Sequence, residues 1–228
     1  MSVCLALAAT KLIAGPSEAD VGDPDSFRHN ALYLGAASGA VYLRSDCSTI
    51  PPEQGQCYTL NPAPTETDFD DEDVCQIKLP KGSTKDIIYP VVSFFQNYVF
   101  RNNTGSQQQA DFFYTASITI DSAALNDPTC VDPNTGNPCN GHLVMQYSDN
   151  LFNDGHPINN GEIFTNAHNY SHVGNLGITK RNLVEQGIPQ GVADKLFQGE
   201  MTLHLTIQGS AVMVSSGRIT GNMRLFGD

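Results

Sequence analysis

Residues 201–208 read MTLHLTIQ, in which Met201, Leu203, Leu205 and Ile207 alternate with Thr202, His204, Thr206 and Gln208. Successive side chains of a β-strand point to opposite faces. A two-residue period with one apolar face and one Thr-rich polar face therefore describes a strand that covers a core on one side and meets water on the other. The same pattern recurs in FFYTASITI (112–120), where Phe112, Tyr114, Ala116, Ile118 and Ile120 share a face. It recurs again in RITGNMRLF (218–226), where Ile219, Met223 and Leu225 do. IIYPVVSFFQNYVF (87–100) is apolar on both faces, which places it centrally, with Pro90 at an edge position or a bulge near its start.

Weaker strand signals lie on either side. ALYLGAASGAVYL (31–43) reads as one strand interrupted by Gly35 and Gly39, or as a hairpin, while GHLVMQYS (141–148) and GEIFTNAHNYSH (161–172) add two more. One segment departs from the pattern. In 179–199, Leu183, Ile188, Val192 and Leu196 recur at near-helical spacing, Gly187 and Pro189 divide the run, and Gly199 supplies a stop. The expected fold is all-β: an antiparallel two-sheet, jelly-roll-like sandwich of roughly eight to ten strands, with a short helical insertion near 179–198 that caps one end.

Composition narrows the class. Of 228 residues, 40% are hydrophobic and only 16% charged, so the surface must be built largely from Ser, Thr, Asn, Gln and Gly, as in exported β proteins. The formal net charge of −12 repels phosphate backbones and anionic membrane surfaces, which excludes nucleic acid as a partner. No run is long enough for a transmembrane helix. The apolar run Val3–Ala9 and the small-x-small SEA at 17–19 suggest that residues 1–19 are a signal peptide. The alternation of Val3, Leu5 and Leu7 with Cys4, Ala6 and Ala8 offers a second reading, an N-terminal extension strand given to the same or a neighbouring subunit. Residues 20–228 are then a single domain.

Six cysteines support export. Cys47 and Cys57 flank STIPPEQGQ, and Cys130 and Cys139 flank VDPNTGNP. Both intervals are short, turn-rich and unlike the CxxC spacing of zinc or redox sites, so two local disulfides and an oxidising compartment are expected. In VCQIKL, Cys75 shares a strand face with Ile77 and Leu79, the position of a buried thiol behaving as a small hydrophobe.

Two loops carry oxygen ligands. Asp132-x-Asn134-x-Gly136 resembles the first half of a calcium loop, but Asp-Pro and Asn-x-Gly are also strong turn formers that need no ion. DNLFNDGHPINNGE (149–162) is a second Asn/Asp/Gly-rich loop, with a hairpin signal at Asn153-Asp154-Gly155. Residues 46–73, ending in ETDFDDED, read as one long surface excursion pinned by Cys47–Cys57, and the acids of that run match no EF-hand spacing. His168 and His172, four apart in an extended segment, stand about 13 Å apart, too far to share an ion. NNT (102–104) and NYS (169–171) are glycosylation sequons. No nucleophile elbow, phosphate loop, dinucleotide fingerprint or haem motif occurs.

GDPDSFRHNALYLG (22–35), followed by DC (46–47) and LNDPTCVDPNTGNPCNG (125–141), resembles a group of exported bacterial proteins without assigned activity. That resemblance implies export and a noncatalytic role. The leading expectation is an exported structural or assembly protein, a cell-surface, filament or particle subunit that associates with itself or with another surface protein. The alternatives are a calcium-assisted glycan- or protein-binding module, and a secreted hydrolase.

Overall fold

A computed structural model describes residues 32–146, 152–173 and 177–228. The signal-peptide and donated-strand readings fall on residues 1–19, outside this set. The chain forms β1 (Leu32–Arg44), β2 (Gln56–Thr59), β3 (Thr67–Leu79), β4 (Ile87–Arg101), β5 (Gln108–Asp121), β6 (His142–Gln146), β7 (Phe152–Ile158), β8 (Ile163–Val173) and β9 (Ile178–Thr179). Helices α1 (Lys180–Glu185) and α2 (Gln190–Gln198) follow, then β10 (Met201–Val212) and β11 (Val214–Gly227).

The strands make two sheets. Sheet A runs β2-β1-β11-β4-β8, with β9 also on β4; sheet B runs β3-β10-β5-β6, with β7 also on β5. All pairings are antiparallel except β1 with β2. Taking β6 and β7 as one interrupted strand, the order 1-11-4-8 over 3-10-5-6/7 is that of an eight-strand jelly roll. The expected sandwich is present. Among the described residues its strands number eleven because β2 and β9 are short additions and the strand beside β5 is split in two.

β10 is central in sheet B and alternates buried residues with part-exposed or exposed ones along its length. Its inward residues Leu203, Leu205 and Ile207 are fully buried, as are Ile118, Ile120 and Phe112 of β5 and Ile219, Met223 and Leu225 of β11. Residues 32–43 lie in one strand, not a hairpin. Its glycines serve close approach. Gly39 pairs with Gly221 across β1 and β11, and the two leave a notch on the inner face of sheet A. Sheet B fills it. A Cβ on Gly39 would lie 1.6 Å from the Val74 carbonyl oxygen, and one on Gly221 would lie 2.7 Å from Leu205 Cδ2.

Val74 reaches the notch because β3 is bulged: between the pairs Leu205–Cys75 and Ile207–Asp71, β10 advances two residues and β3 four. The acidic run is thus part of a strand rather than a surface excursion, which corrects the reading of 46–73. Thr67, Phe69 and Asp71 face inward, while Asp68, Asp70 and Glu72 face solvent, a two-residue alternation masked in the sequence by the density of acids. Asp71 is pushed above its ordinary value by burial, although its Oδ1 accepts from the Asp73 N–H at 3.1 Å.

Residues 152–158 are likewise a strand paired to β5, so Asn153-Asp154-Gly155 is not a hairpin turn. The turn is at Asn159–Glu162, where the Glu162 N–H donates to the Asn159 carbonyl at 3.0 Å and Gly161 has φ +83°. Asn102, the first sequon asparagine, is fully buried, and its Nδ2 donates to the carbonyls of Ser106 and Ile158. Its amide is thus engaged inside the fold, whereas Asn169 of the second sequon is exposed.

The helical insertion is as expected. Thr179 Oγ1 caps α1 by accepting from the Asn182 N–H at 2.9 Å, Gly187 takes φ +102° between the helices, and Pro189 stands just before α2, one residue ahead of the first turn. Leu183, Ile188, Val192 and Leu196 are all buried in the main core.

The glycine notch yields a direct test. Gly39→Ala must displace backbone rather than a side chain, and urea unfolding is expected to show a loss of about 3 kcal/mol. Gly191→Ala, in α2 with nothing near its added carbon, is expected to gain about 0.5–1 kcal/mol. Equal effects at the two sites would remove the notch from the account.

Candidate functional site

The outward positions of sheet B carry a row of alternating acids and imidazoles across four neighbouring strands. Asp73 sits in the β3 bulge, His204 on β10, Asp121 at the end of β5 and His142 at the start of β6, where Asp121 and His142 are direct cross-strand partners. Asp73 Oδ1 is 3.0 Å from His204 Nδ1. Asp121 Oδ2 is 3.2 Å from His204 Nε2, at ion-pair distance but out of line for a hydrogen bond, and Asp121 Oδ1 is 2.8 Å from His142 Nδ1. His204 is the enclosed member, with its side chain 16% exposed against 52% for His142. The row ends on an imidazole whose Nδ1 is held by a carboxylate, an arrangement that presents Nε2 as a hydrogen-bond acceptor in the neutral ring.

His142 opens onto a cavity of about 850 Å³. Its walls are the end of β5, the 3-10 turn Ala123–Asn126, the start of β6, and residues 199–202 between α2 and β10. Each wall has a local cause. Ser122 caps the 3-10 turn through Oγ, which accepts from the Ala124 N–H and donates to the Glu200 carbonyl at 2.8 Å. The Ser122 N–H donates to the Gly141 carbonyl at 3.0 Å, tying the loop before β6 to the end of β5. Gly141 has φ +90°, a conformation that favours glycine, and a Cβ there would stand 3.1 Å from Asn126 Oδ1. Ser122 Oγ is engaged in both of these bonds.

The disulfide-pinned loop stands beside this cavity. Cys130–Cys139 and Cys47–Cys57 are bridged, with Cα separations of 5.4 and 5.7 Å. Within the first, Val131 and Pro138 form a bridge, the Gly136 N–H donates to the Asp132 carbonyl at 2.8 Å, and the Asn134 N–H donates to Asp132 Oδ1 at 2.8 Å. Asn134 Nδ2 donates to the Val144 carbonyl at 2.7 Å, and Gly136 has φ +71°. Asp132, Asn134 and Gly136, the calcium-loop candidates, are thus brought together as an Asx turn. Of the acids of 66–73, Glu66 precedes β3 and those from Asp68 to Asp73 are spread over both faces of that strand. Among the described residues no group of three or more His, Cys, Asp or Glu side chains is placed to hold a metal ion. Cys75 is a buried free thiol, pushed up to about 12 by burial and by the neighbouring Asp73.

Charges at the cavity rim are paired locally. Lys195 Nζ is 3.0 Å from Asp127 Oδ2, and Lys78 Nζ is 2.8 Å from Glu200 Oε1. The hydrogen bond from Lys195, helped by those from Thr129, holds the Asp127 carboxyl down to about 2. The sequence signal for this site was weak, because His142, His204 and Asp121 are separated by up to 83 residues and only strand register unites them.

A second polar group lies between the sheets, where the edge strands β7 and β8 face each other through side chains. Tyr98 donates its hydroxyl to Asp154 Oδ2, and Asn166 Nδ2 donates to the same oxygen at 3.2 Å; His156 Nδ1 is 3.3 Å from Asp154 Oδ1. Burial alone would raise Asp154, but the hydrogen bonds from Tyr98, Asn166 and His156 outweigh it and hold the carboxyl below its ordinary value. Phe164 and His156, with ring centroids 4.6 Å apart, and Phe152 and His168, 5.9 Å apart, close the seam.

Comparison of the chain with protein-family models, with curated proteins and with solved structures finds no match.

Two outcomes check the site. Replacing Cys130 and Cys139 with Ser is expected to cost about 2–4 kcal/mol in unfolding free energy and to shift the amide resonances of Asn140–His142; an unchanged stability would remove the bridge from the account. Titrated by NMR, Asp127 is expected near 2 in the native chain and to return toward 3.8 in Lys195→Met. The sign follows from a depressed native value: the interaction is fully present above the unfolded value of 3.8 and is lost as the pH falls toward 2.

Proposed function

We propose that the chain is an exported, noncatalytic assembly subunit that associates with a second copy of itself through the edge of β8 that is unpaired among the described residues. The observation that carries this reading is the contrast among the sheet edges. Unpaired strand edges invite pairing with another chain, and proteins blunt them with charge, proline, bulges or brevity. β2 is four residues long and contains the bridged Cys57. β3 is bulged and lined with solvent-facing Asp68, Asp70 and Glu72. β6 is five residues long, and β7 contains Pro157. β8 has eleven residues, ends its sheet, and contains no Lys, Arg, Asp, Glu or Pro.

Charge selects the same edge. Two copies at net charge −12 repel, and they repel most where β3 would meet β3. The neutral edge of β8, with Ile163 exposed at its start, is where a second copy can approach with the least opposition. Two disulfides fit an oxidising compartment, and no helix among the described residues is long and apolar enough to cross a membrane. The jelly-roll order occurs in shell-forming and in lectin-type domains alike, so it accommodates assembly without specifying it.

Sedimentation at rising concentration tests the reading. The native chain is expected to associate, more strongly at higher salt as the mutual repulsion is screened. Introducing Ala167→Glu and Asn169→Glu, both at exposed positions of β8, is expected to weaken association about tenfold or more while leaving the melting temperature within a few degrees. A chain that stays monomeric at high concentration and high salt, or an association indifferent to these charges, would overturn it.

A further inference from the structure

We propose that the cavity at the ends of β10, β5 and β6 is a binding site for a neutral, hydroxyl-rich ligand, the terminal sugar unit of a glycan. The argument rests on which polar groups around it are already engaged. Both lysines at its rim are matched with carboxylates, Lys195 with Asp127 and Lys78 with Glu200, and the Asp121 carboxylate is hydrogen-bonded to His142 Nδ1. No lysine is left over to draw an anion, and the one carboxylate without a lysine partner, Asp121, is engaged by the His142 imidazole.

Four uncharged groups remain. The side-chain amides of Asn126 and Asn140, the Thr202 hydroxyl and His142 Nε2 border the same cavity, and none has a hydrogen-bond partner among the described residues. Amides both donate and accept, a hydroxyl does the same, and the imidazole held by Asp121 accepts. This set is complementary to vicinal hydroxyls, each of which must also donate and accept. The volume of about 850 Å³, open to solvent on one side, lies within the range of small-ligand sites.

The site is also held in shape before any ligand arrives. Asn140 takes φ +50°, a conformation that asparagine tolerates better than other side-chain-bearing residues, and Gly141 follows at φ +90°. Together they turn the chain out of Cys139 and into β6, which sets His142 beside Asp121. On the other side, Asp73 and His204 brace Asp121 across the sheet. Loss of conformational freedom on binding is thereby reduced, which favours affinity for a small polar ligand. The site lies on sheet B, away from the β8 edge of sheet A, and is independent of the assembly reading.

The experiment is a ¹H–¹⁵N correlation titration of the full chain with methyl β-glucoside, methyl β-galactoside and N-acetylglucosamine, with inorganic phosphate as the charged comparison. At least one sugar is expected to give saturable shifts at Asn126, Asn140, His142 and Thr202. Asn140→Gly, which keeps the backbone conformation and deletes the amide, and His142→Ala should each weaken that response at least about fivefold while leaving resonances of sheet A in place. The proposal is overturned by the absence of saturable shifts with all three sugars, by shifts that map elsewhere, or by phosphate moving the same residues as strongly as the sugars do.

Discussion

Sheets A and B can close on each other only because two glycines face each other across β1 and β11. Gly39 and Gly221 remove side chains from the inner face of sheet A at the point where the bulge of β3 drives the Val74 carbonyl inward and Leu205 points at the gap. Backbone meets backbone there, closer than any side chain would allow. The consequence spreads outward. With β1 seated against β3, Leu43 and Val41 enter the core, and the remaining strands of each sheet follow by register. The same bulge turns Asp73 toward His204 and so starts the row that ends at His142. One irregularity in an edge strand thus serves both the closure of the sandwich and the architecture of the cavity.

Much of this was legible from alternation alone. β5, β10 and β11 announce themselves by period two, and the large apolar residues of that period, such as Phe112, Ile118, Leu203, Leu205, Ile219 and Leu225, are buried. The two-faced apolar run of β4 predicts its central place, between β11 and β8. The helices were readable from Leu183, Ile188, Val192 and Leu196 with Gly187 and Pro189 between them. The disulfides were readable because both intervals are short and turn-rich. What escaped had competing signals. The acids of 66–73 look like a solvated loop, and their strand character depends on a cross-strand partner, β10, that lies over 120 residues away. Asn153-Asp154-Gly155 has the composition of a turn, yet pairing with β5 and the Tyr98–Asp154 hydrogen bond hold it extended. Gly35 and Gly39 look like interruptions, because a sequence does not say which backbone a glycine will meet.

The cavity was beyond the reach of local pattern. His142 and His204 each occupy a polar strand face, which is an ordinary place for a histidine, and nothing near either one in the chain marks it. Only the register of β10 on β5 and of β5 on β6 brings Asp121 between them. The Asp132–Asn134–Gly136 turn, by contrast, had a strong local signal, and the structure uses it for backbone hydrogen bonds.

The molecule is asymmetric in its edges, and that asymmetry is the central claim about what it does. Amide hydrogen exchange along β8, compared between dilute and concentrated solution, tests it most directly. The account predicts slower exchange in the concentrated sample at the backbone N–H groups of Ile163–Val173 that do not pair with β4, and no change along β3. Unchanged exchange in β8, or protection appearing along β3 instead, would contradict it.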